Sequence, residues 1–184
     1  MTRVIVVTGT PASGKTTVAR SLAKKLGNSE LIGANELVKS LHFYRKRSVD
    51  GEIIADMKRL KTELERRIRN SKAKFVIIEG HLLCDIRIRK ATAIVIREHL
   101  KLLLVRMRRR GYGTKKIEGN IVSEAIDYCG VNSLSNYNSV HEVMGGRKAV
   151  EHIVGIIKGR RTGKEIDMLG ELNGMAKLLG KKVI

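Results

Sequence analysis

At 184 residues the chain is the size of one ordinary domain and can bury a sizeable core. Lys and Arg number 37 against 18 Asp and Glu, a net charge of +19 that attracts polyanions and leaves most cations without a carboxylate partner, which argues against a surface of balanced ion pairs. With 3% aromatic residues and no Trp, a single-strand surface built on stacked bases has few rings to use, which favours nucleic-acid contact through phosphate and shape.

Val4-Ile5-Val6-Val7 is a β-branched run suited to a buried parallel strand, and Val18, Leu22 and Leu26 then recur at helical spacing. Between them lies Gly9-Thr10-Pro11-Ala12-Ser13-Gly14-Lys15-Thr16-Thr17, whose GxxxxGK[ST] spacing defines a P-loop that closes backbone N–H groups around nucleotide phosphates. Lys15 is expected to reach the β/γ-phosphates and Thr16 to place its hydroxyl on Mg²⁺, at a helix start that favours anions. The competing reading is an accidental glycine turn, which the flanking strand and helix disfavour.

Gly27 supplies a helix stop, Leu31-Ile32 a very short strand, and Asn35 to Leu41 a second helix. His42 to Gly51, with Arg45-Lys46-Arg47 in its middle, reads as an exposed loop. Asp50 is then a plausible N-cap for a helix carrying Ile53, Met57, Leu60, Leu64 and Ile68 on one face. Phe75-Val76-Ile77-Ile78-Glu79 reads as a buried strand, and Glu79-Gly80-His81 sets two ionisable groups at its C-terminal end, the edge where open parallel sheets bind ligands. An acidic group there can hold Mg²⁺ through water. Taken singly, Glu79 as a surface or capping carboxylate and His81 as a loop histidine bonded to backbone are the blander readings.

Ala93 to Ile96 gives a fourth strand, and Leu100, Leu103, Leu104 and Met107 the apolar face of the next helix. Arg106, Arg108, Arg109 and Arg110 precede Gly111-Tyr112-Gly113, and guanidinium forks beside a glycine break suit a segment that folds over phosphates. A solvated basic helix end complementing the dipole is the competitor. Ile117, Ile121, Ala125 and Tyr128 continue as one helix, Ser139 to Met144 as a fifth strand, and Val150, Ile153, Val154 and Ile157 as a closing helix. From Gly159 onward, glycines at 163, 170, 174 and 180 interrupt an apolar series, giving a C-terminal appendage over 159–184. Arg87, Arg89, Lys90, Arg97 and Lys101 form a basic cluster suited to RNA. Cys84 and Cys129 are far apart and lack metal-ligand spacing, which gives a reduced compartment as the default. With no apolar stretch near ~18 residues and no leader pattern, the expectation is a soluble cytoplasmic protein without a membrane partner.

Together, TGTPASGKTT at 8–17, EGH at 79–81 and RRGYGTKKIEGNI at 109–121 resemble the atypical adenylate kinase family that includes adenylate kinase isoenzyme six and its archaeal relatives. The resemblance spans about residues 3 to 158 and lies in the combination and order of the motifs. It implies an α/β P-loop NTPase fold with a five-stranded parallel sheet, helices on both faces and a small lid. The implied activity is ATP- and Mg²⁺-dependent phosphate transfer to AMP or another nucleoside monophosphate, with ATPase activity. The implied biological role is small ribosomal subunit maturation with a platform ribosomal protein, and ribosomal RNA as a further partner. Ala12, Gly14, Lys15, Thr16 and Thr17 fall at the family's ATP-contacting positions, Glu79 and His81 on its acidic-x-His element, and Arg110 on the lid arginine. The monophosphate-binding region would be 32–58 and the lid 109–119, within a domain over 1–158. Three departures stand out. Ala12 replaces a usual Gly, Glu79 an Asp common in eukaryotic members, and Arg45-Lys46-Arg47 is basic where relatives can be acidic. Two alternatives stay open: an ATP-switched ribosome-assembly ATPase without a kinase role, and another small-molecule P-loop kinase.

Overall fold

The computed structural model describes residues 2–47, 53–163 and 165–175. Five strands, β1 (Arg3–Thr8), β2 (Ser29–Gly33), β5 (Phe75–Glu79), β6 (Ala91–Arg97) and β7 (Ser139–Met144), form one sheet in the order β2-β5-β1-β6-β7. Every pairing in it is parallel. The three central strands β5, β1 and β6 are buried on both faces, which is why they read as continuous apolar runs rather than alternating ones, whereas the edge strands β2 and β7 are mostly half-buried.

Alternation decides which layer each strand residue serves. Val4, Val6, Val76, Ile78 and Ala93 pack on one side with α2 (Ala34–Ser40) and α3 (Met57–Asn70). Ile5, Val7, Ile77, Ile94 and Ile96 pack on the other with α1 (Lys15–Leu26) and α7 (Ala149–Ile157). A third cluster joins α4 (Leu100–Arg109), α5 (Thr114–Ala125) and α8 (Leu169–Met175) through Leu103, Met107, Ile117, Ile121, Met168 and Met175. The described part of the glycine-interrupted C-terminal stretch therefore contributes buried side chains to the helices on either side of Gly111-Tyr112-Gly113. Glu171 of α8 also accepts the Leu100 N–H at 2.9 Å and bonds His99 Nδ1 at 2.5 Å, capping α4 from a distance.

Two expectations are corrected. Tyr44–Arg47 and Ile53–Ala55 are strands β3 and β4 of an antiparallel hairpin rather than an exposed loop and the first turn of a helix. The helix starts at Met57, capped by the Asp56 carboxylate on Arg59 N–H at 3.1 Å, whereas Asp50 lies outside the described residues. The helix expected through Tyr128 breaks at Asp127, whose left-handed φ of 53° and bond from Gly130 N–H start α6 (Tyr128–Asn136) as a separate helix.

Candidate nucleotide site

β1 lies at the centre of the sheet, with β5 on one side and β6 on the other, so the strand order reverses at its C-terminal end. That is the position at which open α/β sheets bind ligands, and the P-loop occupies it. Gly9 holds a φ of 134°, and a Cβ there would meet the Ile96 carbonyl oxygen at 2.4 Å, so the loop passes against β6 only because the side chain is absent. Gly14, at φ 96°, turns the chain into α1. Ala12 also adopts a left-handed φ, 71°, a conformation that glycine takes more readily. The loop closes around this residue all the same.

Lys15 is buried, and its ammonium donates to the Thr10 carbonyl at 3.0 Å. Burial lowers its pKa, and the Glu79 carboxylate pulls in the opposite direction. Thr16 donates its hydroxyl to Glu79 Oε2 at 3.1 Å, bringing the P-loop and the end of β5 together. A hydroxyl and a carboxylate facing each other form an oxygen donor set of the kind a hard divalent cation takes, so the residues fit Mg²⁺. His81 opens a 3-10 turn (His81–Asp85), is half-buried and lines the same space.

Arg110 is placed by the end of α4. Tyr112 N–H bonds the Met107 carbonyl and Gly111 N–H bonds the Arg108 carbonyl, with Gly111 at φ 69°, which makes a Schellman turn. Tyr112 then packs on the cluster that holds Met107. The turn leaves Arg110 exposed beside two clefts. The larger, about 1180 Å³, runs from Lys15, Thr16, Glu79 and His81 to Asn35, Val38 and Tyr128. The smaller, about 710 Å³, is bounded by Gly14, Thr17, Arg106, Gly146 and Arg147. Ala12 and Arg110 border both.

The structure thus gathers Ala12, Gly14, Lys15, Thr16, Thr17, Glu79, His81 and Arg110 around these two clefts. The family model for the AAA domain matches residues 5–127. A "Putative adenylate kinase" of Pyrococcus abyssi is 33% identical over 168 residues, covering 86% of this chain and 88% of that protein. A protein of the same name from Methanosarcina barkeri is 32% identical over 170 residues, covering 88% and 90%. The chain belongs to this adenylate kinase-like P-loop family. Among solved structures, shikimate kinase from Acinetobacter baumannii in complex with shikimate superposes with a TM-score of 0.59 at 17% identity, covering 88% of this chain and 96% of that one. Shikimate kinase from Aquifex aeolicus gives 0.57 at 19%, covering 85% and 96%. At such identities the likeness speaks for the fold alone, and it agrees with the five-stranded parallel sheet.

Sequence reasoning passed over several polar groups behind the site of this kinase-type chain. Arg106 Nη1 reaches the Ala12 carbonyl at 3.1 Å and Glu98 Oε2 at 2.8 Å, so one member of the arginine run braces the P-loop while staying half-exposed. Arg97 is 1% exposed and paired with Glu124 (3.1 Å), Asp127 (2.6 Å) and Glu142 (2.7 Å). It is therefore withdrawn from the basic cluster read as an RNA contact, whereas Arg87, Arg89, Lys90 and Lys101 are exposed. Three carboxylates around one guanidinium leave negative charge in excess. Burial, with Glu142 alongside, pushes Asp127 up to about 7 against the pull of Arg97.

Proposed function

We propose that this protein transfers the γ-phosphate of ATP to a nucleoside monophosphate, AMP foremost, and hydrolyses ATP more slowly when no acceptor is bound. The observation that carries the reading is the pair of clefts meeting at Ala12 and Arg110, the larger of them lined by the P-loop lysine. The smaller suits the donor nucleoside, with Thr17 and Arg147 on its wall, and the larger suits the acceptor. Lys15 neutralises charge on the transferring group, the exposed Arg110 swings over the phosphates as the lid closes, and Thr16 directly and Glu79 through water would hold Mg²⁺. Bound Mg²⁺ supplies further charge neutralisation. His81, two residues beyond Glu79, orients the attacking water in hydrolysis. We divide the chain accordingly into a kinase unit over 1–158, with monophosphate-binding residues at 32–58 and the lid at 109–119, and a C-terminal segment over 159–184.

The charge of +19 and the exposed Arg87, Arg89, Lys90 and Lys101 favour a second role beside the first. In it, ATP turnover assists small-subunit maturation on ribosomal RNA and a platform ribosomal protein, in the cytoplasm. Among the described residues, no helix is long and apolar enough to cross a membrane. Binding to ribosomal RNA should then weaken steeply between low and moderate salt.

His81→Ala is expected to lower hydrolysis roughly 10- to 100-fold while transfer to AMP falls less than about 3-fold, since a phosphate acceptor needs no water-orienting group. Glu79→Ala should damage both. Parallel assays of ADP and inorganic phosphate check this. Equal losses in His81→Ala with Mg²⁺ affinity intact would return His81 to a structural part in the turn.

A further inference from the structure

Glu124 lies on α5, the helix that leaves the lid turn, yet its carboxylate is 2% exposed and bonded to the P-loop. Its Oε2 accepts the Thr10 hydroxyl. Its Oε1 accepts the Glu98 N–H at 2.9 Å and Arg97 Nε at 3.1 Å, and its backbone carbonyl accepts Arg97 Nη2 at 2.7 Å. Thr10 turns the other way as well, because its carbonyl holds the Lys15 ammonium at 3.0 Å. One residue of the loop therefore stands between the helix behind the lid and the lysine that meets the phosphates.

We propose that Glu124 is a positioning residue that acts through Thr10: held by Arg97 and the Glu98 N–H, it fixes the Thr10 peptide and with it the place from which Lys15 engages the nucleotide. The inference rests on the kinase reading for its effect on turnover, but not for its effect on the loop. Glu124 is suited to the part because an ionised carboxylate is acceptor-only and meets three donors here at its two oxygens, the Thr10 hydroxyl, the Glu98 N–H and Arg97 Nε. Glutamine at this position either turns its NH₂ toward the Glu98 N–H and Arg97 Nε and leaves them unpaired, or reverses the bond to the Thr10 hydroxyl and replaces a charge-assisted contact with a neutral one. Valine at position 10 keeps the β-branched shape and removes the hydroxyl. Because α5 follows directly from Gly111-Tyr112-Gly113, the same contact ties the lid's exit helix to the loop that the lid covers.

The test uses Thr10→Val, Glu124→Gln, the double variant and Thr10→Ser in the full chain. Each single change is expected to lower kcat about 10-fold while the KM for ATP moves less than about 3-fold, since the lost alignment matters most in the transition state. The double variant should lose no more than the worse single one, because both changes break the same link. Thr10→Ser, which retains the hydroxyl, should recover most of the Thr10→Val loss. Amide hydrogen exchange gives a readout independent of turnover. Residues 9–16 should exchange about 10-fold faster in Thr10→Val and in Glu124→Gln, with the α3 peptides unchanged. Multiplying losses in the double variant, or unchanged exchange over 9–16 in both single variants, would overturn the proposal. A wild-type chain inactive with every acceptor and with water, but showing the exchange pattern, would overturn the kinase reading and leave the positioning contact standing.

Discussion

Lys15→Ala is expected to lower ATP turnover about 1,000-fold with every acceptor and to leave the fold in place. The size follows from removing a preorganised positive charge from a buried position, where such groups are worth most. Retention of the fold follows from what the ammonium does without nucleotide. It sits in a buried position where burial lowers its pKa, and the one hydrogen bond described for it goes to the Thr10 carbonyl. A cation held against its own desolvation adds little to folding. The thermal midpoint should therefore change by only a few degrees while coupled ATP turnover collapses. Near wild-type turnover in a folded Lys15→Ala chain would dismiss the P-loop assignment of the chemistry.

Arg97→Met should have the largest effect on stability, about 3–5 kcal/mol at neutral pH, because it strands Glu124, Asp127 and Glu142 around a neutral side chain. The sign of its pH dependence is fixed by linkage. Without the guanidinium Asp127 loses the pull that holds its raised pKa down, so the folded variant binds that proton more tightly than the unfolded chain does. Its stability is then highest below the unfolded carboxylate pKa of about 4 and falls as pH rises toward neutrality. In the wild-type chain the same direction already holds for Asp127, pushed up to about 7. Urea unfolding at pH 5 and pH 8 measures the effect, and the deficit of the variant relative to wild type should be clearly larger at pH 8. A deficit independent of pH would mean that Arg97 contributes packing alone.

The sheet was legible because its chemistry is local. Strands buried on both faces become β-branched runs, and Gly9 to Thr17 falls between such a run and an amphipathic helix, so strand, loop and helix could be placed without tertiary information. The β3–β4 hairpin was hidden by a coincidence of spacing. Ile53 stands four residues before Met57 and so extends the true apolar stripe of α3 backward into a strand, and the cap expected at Asp50 is supplied instead by Asp56. The break at Asp127 was masked in the same way, since Tyr128 follows Ala125 at helical spacing although the chain turns between them. Arg97 shows the deeper limit. Its neighbours in sequence suggest a basic surface, but its partners come from positions 124, 127 and 142, and only the pairing of β6 with β7 and the return of α5 bring them within reach. Glu98 and Glu124 gave no local signal for the same reason.

In the proposed reaction the donor and the acceptor occupy two clefts that share Ala12 and Arg110, with Lys15 on the wall of the larger. Following the label from ATP carrying ³²P at the γ-phosphate tests this most directly, with AMP, other nucleoside monophosphates or water alone as acceptor. Labelled ADP should form from AMP faster than the labelled diphosphate of any other monophosphate forms, and faster than labelled inorganic phosphate forms in the absence of an acceptor. Labelled inorganic phosphate as the sole product with every monophosphate, at a rate unaffected by their presence, would contradict phosphate transfer as this protein's reaction.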